Sequence, residues 1–595
     1  MLLDPRAEYT KRWKHRSEVA RRYRLWDARY GYARLSLAVL CVAMGWFVFG
    51  AHSAPLWWLA VPVAGFIALV AIHDKAQRLM ERAERASAFY RRGLDRLEGK
   101  WQGRGECGDR YLNDKHPYAG DLDLFGRGSL FELLCTARTL AGRRTLAWWL
   151  LHPADPAEVR ARQEAVEELR DRLDLREDLA LMGEAVRRGV HAGALPRWGE
   201  AEPILDSPLA RGAVFLVSAA VAAGFVAVLI HAAPLATLVA PLAAAAGLGL
   251  FWRSRVLRVA AEVEQPSHDL DILAELLRRL EQERFQCRKL RELREKLSAE
   301  GQPPSKRIAK LGRLVELLDS REHLLMQIVG PLLLWTTQLA FAIEAWRKKT
   351  GPHLREWLRA VGQFEALCAL AGYAFEHPND PFPEFTPECS CFDGRGLGHP
   401  LIPEDRCVRN DVRLNQQTQV LLVSGSNMSG KSTLLRTVGV NAVLAMTGAP
   451  VRAESLRLSP LKIGASIRVT DSLRAGMSRF YAEIKRIRQI MDMAAEDGTV
   501  LFLLDELLHG TNSHDRRIGA EAIVKKLVEC GGIGLVTTHD LAIAHIEDEM
   551  GPRVRNVHFQ DRMENGRMSF DYKLRPGVVE HSNAIELMRS VGLEV

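Results

Sequence analysis

Residues 425–432 read Gly-Ser-Asn-Met-Ser-Gly-Lys-Ser and fit the pattern G-x-x-x-x-G-K-[ST] of a phosphate-binding loop. An apolar run at 420–423 leads in, and a helix-compatible segment at 433–445 leads out, the flanks such a loop requires. Gly425 and Gly430 let the backbone turn its N–H groups toward phosphate oxygens, and the following helix begins where its dipole is positive. Lys431 is expected to reach the β- and γ-phosphates, and the Ser432 hydroxyl to coordinate Mg²⁺. Asn427, Met428, Ser429 and Thr433 complete a cradle for a nucleoside triphosphate.

Two more strand ends carry chemistry. Residues 499–504 form a continuous apolar run bounded by polar residues, as expected of a strand buried on both faces of a parallel sheet. It ends in Asp505 and Glu506. A carboxylate at the carboxyl end of such a strand lies in the crevice beside the phosphate loop, where Asp505 is expected to hold the Mg²⁺ shell and Glu506 to polarise an attacking water. A third apolar run, 533–536, ends in Thr537, Thr538 and His539. An isolated histidine is most often an ordinary surface residue, but at a third strand end His539 is placed to sense or stabilise a γ-phosphate.

Together these motifs resemble the MutS family, the mismatch-repair branch of the ABC-type ATPases. Residues 425–433 are similar to that family's phosphate loop with its Asn-Met pair, with Ser426 in place of the usual proline and Ser429 in place of a usual glycine. Residues 471–483, with Gly476, Ser478, Phe480 and Glu483, resemble the signature segment. The resemblance implies that Gly476 and Ser478 touch the γ-phosphate bound by the opposing subunit, which makes Ser478 a trans-acting catalytic residue. Asp505 and Glu506, then Gly510, Thr511 and Asn512, then Thr538 and His539 follow the order of the family's magnesium, dimer-interface and switch motifs. Residues 572–577 resemble the closing strand and the short helical region that clasps the partner, and residues 398–401 with Asn410 and Asp411 resemble the lead-in to the ATPase domain. Upstream, residues 122–131, Thr139, residues 142–144, 149–153 and 163–169 resemble the start of the family's helical core. The implied cofactors are ATP and Mg²⁺. The implied partners are a second copy, in a homodimer through the ATPase heads, and double-stranded or branched DNA.

Composition bounds the rest. A chain of 595 residues exceeds a single core, so two or three domains are expected. With 47% apolar and 26% charged residues it is globular rather than disordered. Nine cysteines without repeated spacing argue against a disulfide framework and for reduced thiols in a cytosolic setting. The one close pair, Cys389 and Cys391, has no second pair to complete a zinc site. Of the net charge of +8, the first 34 residues carry +6, from ten Lys/Arg against four acids.

The segments beyond that basic arm give it a use. Residues 35–50 and 56–72 carry no charge and flank a short turn at 51–55; residues 213–230 and 233–252 repeat the design around 231–234. Each run of about 17 residues makes about 26 Å of helix, near the short end of what spans a bilayer. Both turns lack Lys and Arg, whereas the outer flanks are basic: the arm, Lys75, Arg78 and Arg82, then Arg211, and Arg253, Arg255 and Arg258. The positive-inside rule places both termini and the ATPase in the cytoplasm, with the chain multi-pass in the inner membrane. The arm then serves as a topology and lipid-surface element rather than a DNA grip.

The run 328–345 carries Thr336, Thr337, Gln338 and Glu344 and reads as a helix packed in the core. Residues 262–297 alternate leucines (Leu270, Leu273, Leu276, Leu277, Leu280) with Arg and Glu, as a solvated lever helix would. The expected fold is an α/β P-loop ATPase domain of ABC type at the carboxyl end, preceded by an all-α lever and core domain with two transmembrane helical hairpins. Its divisions are 1–100, 101–397 and 398–595. One departure from the family stands out: no Phe-x-Glu mismatch-reading loop is recognisable, and the basic arm and first hairpin stand in its place. Two functions fit. In one, a membrane-anchored MutS-like ATPase processes DNA in a dimer; in the other, the same motor works on protein or lipid partners. A basic lever tip would separate them, and Arg288, Lys289, Arg291, Arg294 and Lys296 are a mild version, offset by Glu292 and Glu295.

Overall fold

Burial along the apolar runs of the last third alternates with period two: Val420 and Leu422 pack on one face of a sheet, Leu421 and Val423 on the other. The computed structural model of the chain describes all residues except 1–2, 52–54, 56, 187–193, 265–266, 298–301, 323, 387–389, 427, 469–478, 497–498, 540, 565–566 and 580–595. The described strands are β1 (Glu384–Phe385), β2 (Phe392–Leu397), β3 (Asn410–Leu414), β4 (Val420–Ser424), β5 (Ser455–Leu458), β6 (Leu461–Ser466), β7 (Thr499–Leu504), β8 (Ile533–Thr538), β9 (Val554–Glu564) and β10 (Arg567–Pro576). The larger sheet has the order β10-β9-β4-β8-β7-β6. Its strands β9, β4, β8, β7 and β6 run parallel, and β10 returns antiparallel along the β9 edge. The smaller sheet has the order β1-β5-β2-β3.

Helix Lys431–Thr447 covers one face of the larger sheet, through Leu435 and Val438 against Leu421, Val423 and Leu503. Helices Arg479–Ala495 and Ser513–Glu529 cover the other, with Ile490 and Val524 against Leu422 and Phe502. Burial on both sides is why these strands are apolar throughout. The register pairs Val423 with Thr537, Ser424 with Thr538 and Leu504 with Val536, so the carboxyl ends of β4, β7 and β8 lie side by side.

The helical part is built around the connector helix Leu354–Glu376, which is buried at every position from 364 to 376. It crosses helix Leu140–Leu151 backbone to backbone. A Cβ on Gly362 would lie 2.9 Å from the Ala141 carbonyl carbon, and one on Gly142 would lie 2.4 Å from Glu365 Oε2. Thr139 caps helix Leu140–Leu151 by accepting the Gly142 N–H at 3.0 Å, and its hydroxyl also donates to Glu365. Residues 117–123 belong to this helical part in sequence yet pack on the sheet domain. Asp121 accepts the N–H groups of Ile467 and Arg468, both at 2.7 Å, and a Cβ on Gly439 would strike Leu122 at 2.5 Å.

Two helical hairpins project apolar surface. Helix α1 (Pro5–Gly45), capped by Asp4 and opened by Pro5, continues through a π turn to Gly50, and α2 (Trp57–Leu97) runs back along it. The foot of this hairpin is polar and packed. Gly93 lets the Tyr9 ring approach to 2.5 Å of where a Cβ would sit, the Tyr9 hydroxyl donates to Glu376 at 3.1 Å, and Arg96 grips the Glu376 carboxylate at 2.6 and 2.8 Å. The far end is bare: Val42, Trp46, Phe49 and Trp57 are all exposed. The second hairpin pairs helices Pro208–Leu229 and Val239–Glu264, with Phe215, Leu216, Phe225 and Phe251 exposed. Among the described residues three helical stretches are long and apolar enough to cross a membrane, Pro5–Gly50, Pro208–Leu229 and Leu235–Val263, and the bent pair Met326–Leu332 and Trp335–Glu376 passes the same test when taken as one span. Residues 57–72 of α2, expected as a fourth span, are not among them; Pro62 lies inside that stretch.

Two expectations about the lever are corrected. The run 328–345 is not one core helix but helix Leu324–Leu332 and helix Trp335–Thr350, bent by 72°. Pro331 removes a helical N–H, and Leu334 takes a left-handed φ of 49°, so the first helix cannot continue. Trp335–Thr350 is packed in the core, whereas Ile328 and Leu332 of the first piece are exposed. Residues 262–297 are likewise broken, into Ser267–Gln282 and Arg288–Lys296, and Leu270, Leu276, Leu277 and Leu280 are fully buried. Their stripe seals the core against helix Pro304–Asp319 instead of riding in solvent.

Candidate functional site

The phosphate loop follows β4 directly. Gly425 has φ 148°, and a Cβ there would lie 2.8 Å from Ser429 Oγ. Gly430, at φ 105°, turns the chain into helix Lys431–Thr447. A Cβ on Gly430 would lie 3.2 Å from the Tyr572 ring, so glycine serves both the turn and the contact. Met428 adopts φ 76° and is exposed, while the Ser429 side chain is buried with no hydrogen-bond partner for its hydroxyl among the described residues. The Lys431 ammonium lies inside the loop, donating to the carbonyls of Gly425 at 2.8 Å and Ser426 at 2.9 Å. Burial pushes its pKa below the usual lysine range, and the charges of Glu506 and Asp505 pull it back up. Ser432 and Thr433 occupy the first helical turn, whose N–H groups have no partner within the helix.

Asp505 and Glu506 leave β7 next to this loop. The backbone N–H of Asp505 donates to Ser466 at 2.9 Å, and its carboxylate accepts from the Thr537 hydroxyl. Glu506 has a left-handed φ of 48°, and its N–H donates to the same Thr537 oxygen at 2.9 Å. Its carboxylate lies between two imidazoles, His509 Nε2 at 3.5 Å and His539 Nδ1 at 3.7 Å, whose rings are 5.4 Å apart. The loop beyond is held from helix Arg479–Ala495. Glu483 accepts the Leu508 N–H at 2.6 Å, and a Cβ on Gly510 would touch Phe480 at 2.9 Å.

One crevice of about 850 Å³ is lined by Met428, Gly430, Lys431, Ser432, Thr433, Asp505 and Glu506. Its remaining wall mixes apolar side chains (Leu397, Ile402, Val408, Leu434, Phe559), the Tyr572 ring, and the polar His399, Arg406, Asn410 and Thr437, a surface with both stacking area and hydrogen-bonding groups for a nucleobase. His399 is neutral at ordinary pH, because burial lowers its pKa to about 4, and its Nδ1 accepts the Leu401 N–H at 3.2 Å. Tyr572 is carried by a register break in β10 between Phe570 and Leu574. Asn410 pins that break from both sides, donating to the Tyr572 carbonyl at 2.9 Å and accepting the Leu574 N–H at 2.8 Å.

The structure thus brings Gly425, Met428, Ser429, Gly430, Lys431, Ser432, Thr433, Asp505, Glu506 and His539 to one place. Asn427, Gly476 and Ser478 lie outside the described residues, as does Cys389. Among the described residues no group of three or more His, Cys, Asp or Glu side chains could hold a metal ion on its own. The donor set here, one hydroxyl (Ser432) and one carboxylate (Asp505) beside the phosphate loop, suits Mg²⁺, which keeps several waters and shares its shell with substrate phosphates. His509 went unread in the sequence, and Thr537, His399, Asn410 and Tyr572 were named there without their contacts in the crevice. Only the proximity of His509 to Glu506, at i+3 along the loop, left a local trace. Two members of the basic cluster at 288–296 are held by acids: Lys289 binds Glu158 at 2.6 Å and Arg288 binds Glu292 at 2.6 Å.

Two family models match the chain in succession, MutS domain III over residues 119–371 and MutS domain V over residues 421–594. The DNA mismatch repair protein MutS of Natronomonas pharaonis is 31% identical over 244 residues, covering 40% of this chain and 28% of that protein. The protein of the same description from Exiguobacterium sp. is 34% identical over 241 residues, 39% of this chain and 28% of its own length. That from Geobacillus kaustophilus is 29% identical over 282 residues, 46% and 31%. The matched stretch spans less than a third of these relatives. The two domain matches and the relatives support the MutS family, with the sheet domain matching its domain V and the helical part ahead of it its domain III.

Proposed function

We propose that this MutS-type chain binds ATP and Mg²⁺ in the crevice and hydrolyses ATP to ADP and phosphate, in a homodimer whose heads close on the nucleotides. The observation that carries this reading is the register of β4, β7 and β8, which sets Lys431, Asp505 and Glu506 around one cavity, with His539 Nδ1 3.7 Å from the Glu506 carboxylate. Lys431 and the first-turn N–H groups of its helix hold the β- and γ-phosphates, where their partial positive charge is already aimed. Mg²⁺, held by Ser432 and Asp505, neutralises charge on the transferring phosphoryl group. Glu506 orients the water in line, and His539 stands against the γ-phosphate. Gly476 and Ser478 act from the opposite subunit, as the resemblance implies.

Head closure then moves the helical levers through the connector helix, and the work is done on duplex or branched DNA. The two apolar hairpins anchor the chain in the cytoplasmic membrane with the heads in the cytoplasm. Apolar faces of this extent are rarely left to water in a soluble protein. The pairing of Arg288 and Lys289 with Glu292 and Glu158 weakens a DNA grip at that tip, so the alternative of a motor for protein or lipid partners is decided by the same experiment.

Full-length protein is extracted from membranes and assayed for ATP hydrolysis and for binding to homoduplex, mismatched and four-way DNA across salt. The reading expects protein that resists carbonate extraction, Mg²⁺-dependent turnover, and DNA affinity that falls steeply with salt through counterion release. Recovery in the soluble fraction would overturn the anchor. Absence of DNA affinity in every nucleotide state would overturn the DNA role and leave the protein or lipid motor.

A further inference from the structure

Thr537 occupies the penultimate position of β8 and is fully buried. Its neighbour in the sheet is β7, with Leu504 paired to Val536, so the Thr537 side chain stands opposite the point where the chain leaves β7 as Asp505 and Glu506. A hydroxyl carries one proton and two acceptor lone pairs. Here the proton goes to Asp505 Oδ1, and an acceptor site receives the Glu506 N–H at 2.9 Å. One side chain therefore touches both acids, each through a different function of the same oxygen.

We propose that Thr537 is a positioning residue for magnesium and water in the ATPase site. This rests on the reading of the crevice as that site. By occupying Oδ1 of Asp505, the hydroxyl fixes the carboxylate rotamer, so that a magnesium ion beside Ser432 meets the remaining oxygen in one orientation. By holding the Glu506 N–H, it supports a left-handed backbone that a non-glycine residue adopts only at a cost, and that conformation aims the Glu506 carboxylate between His509 and His539. Thr537 touches neither nucleotide nor metal in this arrangement. Valine at this position keeps the shape and removes both interactions, whereas serine keeps the hydroxyl.

The test uses full-length Thr537→Val and Thr537→Ser, read by the Mg²⁺ concentration at half-maximal turnover, by kcat, and by Mg²⁺-free binding of a fluorescent ATP analogue. An outer-shell partner of a metal ligand is worth roughly 10–100-fold in metal affinity or activity. Thr537→Val is therefore expected to raise the Mg²⁺ requirement and lower kcat by roughly that range, with Mg²⁺-free binding unchanged and most of the loss restored in Thr537→Ser. Thr537→Ala reads the same quantities should the valine variant not fold. Wild-type Mg²⁺ dependence and kcat in the valine or alanine variant would overturn the proposal. So would an equal loss of Mg²⁺-free binding, or no rescue by serine, since either assigns the hydroxyl to folding alone. A wild-type protein without ATP turnover would instead refute the site reading itself, which keeps the two failures distinct.

Discussion

Glu506 is bracketed at 3.5 and 3.7 Å by the imidazoles of His509 and His539, and the two do different work. His539 follows Thr538, the last residue of β8, with its side chain 43% exposed, while His509 lies on the loop after β7 with its side chain 52% exposed. An exposed ion pair contributes roughly 0.2–1 kcal/mol. His509→Ala is accordingly expected to lower turnover by up to about fivefold with ATP affinity unchanged. Steady-state kinetics check this, and a loss of hundredfold or more would show that His509 takes part in the chemistry. The phosphate loop, Asp505, Glu506 and His539 were legible in the sequence because each follows an apolar run with local spacing. The contacts of Thr537, His509 and Tyr572 were not. Their roles depend on which strands become neighbours, and neither the β7–β8 register nor the break in β10 is written in local composition.

At the scale of elements, the connector helix meets the helical core where Glu365 accepts the backbone N–H groups of Arg138 at 3.0 Å and Thr139 at 3.1 Å. Burial pushes the Glu365 carboxyl up to about 7, even though these donors and the Thr139 hydroxyl oppose the shift. The fold therefore holds this proton more tightly than the unfolded chain, whose carboxyl titrates at about 4.3. The stabilisation is complete below that value and is lost as pH rises through about 7. Between pH 5 and pH 8 the wild type should lose more thermal stability than Glu365→Gln; parallel melting curves across that range would contradict the assignment. The hairpin helices are legible as uncharged runs between charged flanks. The bend at Leu334 was less legible. Pro331 went unread, and the polar Thr336, Thr337 and Gln338 pointed to core packing, which holds only for the second half. The leucine stripe at 270–280 had the right period, but a period names a buried face without naming what buries it.

Across the whole molecule, the foot of the first hairpin is fastened through Arg96 and Tyr9 to Glu376, the last residue of the connector helix, and that helix leads into the sheet domain. Residues 117–123 tie back onto β6 and helix Lys431–Thr447, so the helical and sheet parts interlock, and no boundary near residue 398 in the sequence announced it. Such an interlock suits heads that transmit force when two copies close. If Ser478 completes the partner's site, Ser478→Ala and Lys431→Ala are each inactive, and their mixture regains about a quarter of wild-type turnover, from the one intact site in each hetero pair. A mixture as inactive as its components would contradict the trans arrangement. The convergence of Lys431, Asp505, Glu506 and His539 on one magnesium triphosphate is tested most directly by nucleotide trapping in full-length Glu506→Ala. Turnover is expected to fall by roughly 10²–10⁴-fold, the usual contribution of a positioned general base, while the variant retains bound ATP uncleaved. Turnover at the wild-type rate, or failure to hold ATP at all, would contradict the account.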